Sequence, residues 1–413
     1  MFNISKEFAP PFKLIVPYFI AGLLFYTLCM GAIFLLDATT INYANLSVKV
    51  WVHLFLLGFV IFIILGAMAQ LIPVVLEIGH YKVELFYLIF PFLTFGIVLL
   101  VSGFLINHAL LPYGGVLILG AFGIYLLNLF MTLKKVQKLT LVVKSVILAN
   151  LFLFFGLIFG FIMALNYAGI TSMDMQALLK AHVYMLVCGY ITITVMGISL
   201  VLVPMFGLSH GFNDQAIIVS IYLLSVSVVI VVISAFFKLG FFEYFGYFLS
   251  LVSYGLYIYQ IALIYKQRVR KESDIWAKSM IVSFVTLVIA ILFIVAYFIN
   301  AKENYLLVSG FLFFVGFLGF IITAHLYKIV PFLVWFHRFS PLVGKQKVPL
   351  LADMVPKKSA YYQFVFTTLG TIFTALALLF SEDILFKMGG SFLVVGTLFL
   401  LGSVYFMLNF KGK

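Results

Sequence analysis

Apolar residues run along this chain in blocks of the length a bilayer demands, about 20 residues each. Twelve such blocks stand at 12–36, 48–76, 84–105, 112–133, 143–166, 176–206, 216–237, 243–265, 279–299, 304–335, 360–380 and 385–409. They predict an all-α integral membrane protein of about twelve transmembrane helices. The whole of 1–413 reads as a single transmembrane domain, and no soluble domain can be cut from it. The longest structured loop is expected at 336–359.

One pattern recurs inside these blocks. HLFLLGFVIFIILGAMAQLIPVV (53–75), HVYMLVCGYITITVMGISLVLVPMF (182–206) and GFLFFVGFLGFIITAHLYKIVPFL (310–333) share a skeleton of Gly-aromatic, a small residue, then Pro. Gly58, Phe59, Gly66 and Pro73 align without a gap on Gly189, Tyr190, Gly197 and Pro204, at an offset of 131. These align in turn on Gly316, Phe317, Ala324 and Pro331, at an offset of 127. Self-similarity at a near-fixed period means a repeated structural unit. Four helices per unit and three units, about 1–138, 139–272 and 273–413, give the same twelve helices. Helices two, six and ten carry the copies. Small residues eight apart return to nearly one helix face, where they serve close helix approach or leave room for a flat cofactor. The proline near each helix end is tolerated where neighbours re-satisfy the freed carbonyl.

Composition agrees with the class: 65% of residues are hydrophobic and 9% charged, which is no soluble balance. Charge then gives orientation. With an even helix count both termini share a side, and 20 of the 25 basic residues fall there, including Lys134, Lys135, Lys138, Lys144 and the KQRVRKE run at 266–272. By the positive-inside rule that side is cytoplasmic. The net charge of +12 needs no nucleic acid; it is topology plus attraction to anionic membrane lipids. The first block is too long for a signal-peptide core and is taken as a mature span. Phe- and Lys-rich usage with little Arg points to a bacterial cytoplasmic (inner) membrane. Cys29 and Cys188 lie inside spans and offer neither a disulfide framework nor a CxxC metal motif.

Histidines are the chemistry-bearing residues. His53 lies five residues before its glycine and His182 seven before its own. At 1.5 Å per residue their depths differ by about 3 Å. In the aligned columns His182 matches Trp51, and His53 matches Tyr184; the third copy has Ser309 and Phe311 there. An intramembrane histidine is a functional-site hypothesis by default. A ligating imidazole needs a partner for its other nitrogen, and the Tyr184 hydroxyl or a backbone carbonyl would serve. His80, His210 and His337 each follow a repeat proline by six or seven residues and form a weaker metal candidate, set against ordinary interfacial residues. His108 stands in the loop NHALLPYGG as a solvated residue or an outer-leaflet site. His325 and Lys328 share one helical face, where a heme propionate or a lipid phosphate would suit Lys328. Acidic residues are scarce within spans, Glu77 and Asp214 lying near helix ends; no chain of buried carboxylates of the proton-pump kind is visible.

Twelve helices in three four-helix arcs, with histidines near the starts of helices two and six, resemble the catalytic subunit of the heme–copper oxidases. They are more similar to the NnrS-type heme- and copper-associated membrane proteins linked to nitric oxide stress. In those chains helix two carries an aromatic and one or two histidines ahead of Gly-Phe, and here it reads WVHLFLLGF (51–59). The resemblance implies heme b and copper as cofactors, with His53 at the axial-ligand position of a low-spin heme and His182 at the copper position. It implies different centres for the two, and respiratory or assembly partner subunits.

The departures are equally definite. Helix ten has LLVSGFLFFVG (306–316) where the oxidases have histidines, and helix seven, AIIVSIYLLSVSVVIVVISAFF, has none. A three-histidine copper site of the oxidase kind cannot be assembled from helices six and seven, so a conventional terminal oxidase is not expected, and enzyme activity is left open. The expected role is a heme- or copper-binding membrane protein in respiratory support, nitric oxide stress or metal homeostasis. Two alternatives stand beside it: a cofactor-free assembly or structural subunit, and a transporter of a small, weakly polar solute.

Overall fold

The computed structural model describes residues 10–76 and 78–412; Lys6, Glu77 and Lys413 lie outside them. Among the described residues the chain is all-α, and twelve helices are long and apolar enough to cross a membrane. They are α1 (Phe12–Leu35), α2 (Leu46–Pro73), α3 (Leu85–Leu105), α4 (His108–Leu133), α5 (Leu141–Tyr167) and α6 (Met175–Gly207). The series continues with α7 (Gln215–Phe237), α8 (Gly240–Lys266), α9 (Ile275–Asn300), α10 (Glu303–Leu342), α11 (Lys357–Phe380) and α12 (Asp383–Leu408).

The ends of these helices follow local chemistry. Thr140, Asp174 and Asp274 accept backbone hydrogen bonds from the first turns of α5, α6 and α9. Such caps satisfy donors that a helix start leaves over. Leu208, Lys238, Ala301 and Ser381 close α6, α7, α9 and α11 in the left-handed region, where glycine is the usual residue. Pro17, Pro73, Pro91, Pro204 and Pro331 stand inside helices.

The loop expected at 336–359 is shorter than that. Helix continues to Leu342 because Phe336 and Phe339 are buried and extend the apolar face of α10. Only a short 3-10 turn, Leu351–Met354, interrupts the stretch before α11.

Two compact units are present. One spans residues 71–271 and holds α3 to α8. The other is built from residues 10–70 and 272–412 and holds α1, most of α2 and α9 to α12. In the first unit α3 and α4 approach to backbone contact, since a methyl group on Gly114 would stand 2.8 Å from the Leu100 nitrogen. In the second, one on Gly389 would stand 2.7 Å from the Thr374 nitrogen, which ties α12 to α11. Small residues allow this approach, and in lipid packing is a principal source of helix association.

Candidate functional site

The repeat is written into packing. A methyl group on Gly58 would lie 2.7 Å from Phe25 Cβ, one on Gly189 2.7 Å from Phe152 Cβ, and one on Gly316 2.7 Å from Thr286 Cβ. The same column of α2, α6 and α10 therefore meets the same column of α1, α5 and α9. Four residues further along the partner helix the pairing holds again. The Cys29 thiol donates to the Trp51 carbonyl at 3.3 Å, His182 Nδ1 lies 2.8 Å from the Gly156 carbonyl, and Ser309 donates to the Ala290 carbonyl at 2.9 Å. Trp51, His182 and Ser309 are one repeat column, and so are Cys29, Gly156 and Ala290. Gly66 and Gly197 also face the preceding helix, at Tyr18 and Ser145. The glycine columns thus serve helix packing, and neighbouring side chains fill the space they leave.

Each of the three helices changes its winding at this level. Leu54–Ile61, Tyr184–Thr192 and Leu312–Gly319 are π-helical, and each contains the repeat glycine. The π-helix is rare, occurs mostly as single-turn bulges, and is frequent at functional sites. An inserted residue rotates everything beyond it by roughly 100°, one step of a 3.6-residue turn.

The two favoured histidines stand just ahead of these segments. His182 is half-buried on α6 and lies against α5, where Gly156 and Gly160 make room. A methyl on Gly160 would sit 2.7 Å from His182 Nδ1, so the ring needs that glycine. A carbonyl only accepts, so Nδ1 carries the proton and Nε2 carries the lone pair. His53, half-buried on α2, sets its Nδ1 2.7 Å from the Lys49 carbonyl, with the same consequence. Of the two partners expected for the imidazole, the backbone carbonyl is the one used. Tyr184 turns to α8, with its hydroxyl 3.4 Å from Ser250 and its ring 5.5 Å from Tyr247. His53 and His182 belong to different compact units.

The other histidines are scattered. His325 is buried, with Nδ1 2.7 Å from the Ile321 carbonyl and its ring 6.4 Å from that of Trp276. Lys328 finds Asp274 at 2.6 Å and stands over Trp276, so a carboxylate occupies the role considered for a propionate or phosphate. His108 packs edge-on to Tyr167, His80 to Phe86, and His337 to Phe12 and Phe336. His210 is exposed. Among the described residues no three of His, Cys, Asp and Glu gather as a metal-holding group. Cys29 and Cys188 are both free thiols.

A polar seam joins α6, α7 and α8. Lys180 pairs with Glu243 at 2.6 Å, and Tyr247 donates to the same carboxylate at 2.5 Å. Further along, Thr192 and Tyr254 are 3.1 Å apart, Ser199 and Tyr257 2.9 Å, and Ser220 and Ser253 3.0 Å. The sequence reading missed it, although the signal is present. Lys180, Tyr184, Cys188 and Thr192 recur every four residues, and Glu243, Tyr247, Ser250, Tyr254 and Tyr257 every three or four. Both series draw a stripe along one helix face.

No protein-family model matches the chain, and no curated protein does.

To a metal or heme His53 and His182 would each offer a single imidazole. Each has its Nδ1 proton committed to a carbonyl, the arrangement that orients ligating histidines elsewhere. The glycine columns are not a cofactor cradle, because Phe25, Phe152 and Thr286 occupy them.

Proposed function

We propose that this multi-pass membrane protein binds heme b, copper or both through His182 and His53, on a frame similar to the oxidase catalytic subunit but without its full histidine set. The supporting observation is the His182 imidazole, seated on glycines of α5 and tied through Nδ1 to the Gly156 carbonyl just ahead of a π segment. Neutral imidazole with a defined tautomer is a good ligand for heme iron, copper and zinc. His182 would hold one centre and His53 another. A bound heme or copper would supply one-electron chemistry or nitric oxide binding. The protein's own part is to fix each tautomer, through the Lys49 and Gly156 carbonyls. The role that follows is respiratory support, nitric oxide defence or metal handling in a bacterial inner membrane with both termini cytoplasmic, alongside partner subunits.

Metal and heme content of the purified protein tests this. His182→Ala and His53→Ala are expected to lower it separately, each removing its own centre. Content unchanged in the double variant overturns the reading. A second reading, a transporter of a small, weakly polar solute, draws on the hydroxyl seam of α6 to α8. Solute flux in liposomes that is insensitive to His53 and His182 would favour it.

A further inference from the structure

One guanidinium joins the ends of α1 and α12. Arg338, near the end of α10, donates to the Phe410 carbonyl at 3.0 Å and lies over the Phe12 ring at 5.4 Å. Phe12 opens α1, and Phe410 stands two residues past Leu408, the last residue of α12. The two contacts hold the guanidinium by one N–H and one face. An arginine has five N–H donors in a planar fork, so most of the fork remains for an acceptor. Arg338 is exposed, as are Lys13 and Lys411, each next to one of the two phenylalanines. Among the described residues none of these three cations pairs with a carboxylate.

Into the membrane from this charge, α1 and α12 leave a groove of about 460 Å³. Ile20 and Leu24 line it from α1, and Leu398, Leu401, Gly402 and Tyr405 from α12. Lys13, Ile20 and Leu24 fall on one face of α1, because steps of seven and four residues return to the same side of a helix. Leu398, Gly402 and Tyr405 repeat that spacing on α12. A methyl group on Gly402 would meet nothing within 4 Å, so the groove is open there. Elsewhere the same two helices are fixed together. A methyl on Gly390 would stand 2.9 Å from Ile33, and Lys387 bonds the Phe34 and Leu36 carbonyls.

The depths match an amphiphile. Gly402 is eight residues before Phe410, and Ile20 eight after Phe12, so both lie about 12 Å along their helices from the level of Arg338. Tyr405 comes between, at about 8 Å, where a tyrosine suits the headgroup boundary. Apart from Tyr405 the named lining side chains are hydrocarbon or absent, which suits an acyl chain and not a polar solute. Basic pockets between transmembrane helices are seats for anionic headgroups.

We propose that Arg338, Lys13, Lys411 and the groove between α1 and α12 form a binding site for one anionic phospholipid. Its phosphate accepts a two-toothed pair of hydrogen bonds from Arg338, the geometry in which guanidinium binds phosphate best. One acyl chain lies along Ile20, Leu24 and Leu398, over Gly402. Lys13 and Lys411 select the headgroup: an anionic one meets two cations, whereas the ammonium of a zwitterionic one is repelled by them. All of these residues belong to the unit built from 10–70 and 272–412, and the site does not rest on the heme and copper reading.

Native mass spectrometry of the full chain, delipidated in detergent, tests it with phosphatidylglycerol and phosphatidylethanolamine of identical acyl chains. The expected result is one retained phosphatidylglycerol, held more tightly than phosphatidylethanolamine. Arg338→Gln is expected to weaken phosphatidylglycerol about fivefold, the worth of one basic residue at an anionic surface. Gly402→Phe fills the groove without touching the charges and is expected to weaken both lipids. Gly255→Phe, on the exposed face of α8 where a methyl also meets nothing within 4 Å, is the control and is expected to change neither. Equal retention of the two lipids by the native protein would overturn the headgroup site. Gly402→Phe binding as the native protein does would overturn the groove. A dimer that phosphatidylglycerol does not displace, and that Gly402→Phe abolishes, would make a second copy the occupant and overturn the lipid.

Discussion

His182 Nδ1 hydrogen-bonds the Gly156 carbonyl across 2.8 Å, from α6 to the preceding helix. The ring lies over Gly160, where a methyl group would collide with it. Gly160→Ala is therefore expected to displace the imidazole and to destabilise the protein by about 1–3 kcal/mol, the usual cost of overpacking. Gly123→Ala is the control, since nothing stands within 4 Å of a methyl group there. Thermal unfolding of both variants in detergent checks the contrast.

The repeat columns give a second expectation. Gly58→Ala and Gly189→Ala press on Phe25 and Phe152, and each is expected to cost about 1–3 kcal/mol. Phe152→Ala opens the space that Gly189→Ala needs. The double variant Gly189→Ala, Phe152→Ala is thus expected to be more stable than the sum of its parts, a coupling of at least about 0.5 kcal/mol for residues in contact. Strict additivity in a double-mutant cycle would count against the shared register.

Asp274 does two jobs: it pairs with Lys328 at 2.6 Å and caps α9 at the Ala277 amide. Asn keeps the capping oxygen and loses the charge. With both partners partly exposed, Asp274→Asn is expected to cost about 1–3 kcal/mol, between the values for surface and buried pairs. Asp274→Ala removes the cap as well, for about 1 kcal/mol more. Unfolding midpoints in the order native, Asn, Ala are the expected result.

Asp37, in the loop between α1 and α2, accepts hydrogen bonds from the side chain and the backbone amide of Thr39, which hold its carboxyl below the ordinary carboxylate range. A carboxyl depressed in the folded state stabilises it above the unfolded pKa, and the contribution is lost as pH falls through the folded pKa. The loss therefore belongs to the acid side of the ordinary carboxylate range. Thr39→Val is expected to shift the Asp37 titration upward, as followed by carboxyl carbon chemical shifts.

The class was legible because its signal is local. Twelve apolar blocks became twelve helices with small shifts at their ends, and a methyl group on Gly58, Gly189 or Gly316 would in each case stand 2.7 Å from a side chain of the preceding helix. The π segments were not legible. They reflect a change of hydrogen-bond step around each glycine, and no residue type demands that step. The direction of a side chain was also hidden. His182 and Tyr184 are two residues apart, yet one faces α5 and the other α8. Lys328 and Asp274 meet because α9 and α10 pack together, which spacing along the chain does not encode.

The visible absorption spectrum of the purified protein, oxidised and dithionite-reduced, with copper and iron analysis on the same sample, tests the central proposal most directly. The expected result is a Soret band with reduced α-bands, or stoichiometric copper, lost at one centre in His182→Ala and at the other in His53→Ala. A colourless, metal-free protein from cells well supplied with iron, heme and copper would contradict it, and would leave the assembly-subunit and transporter readings.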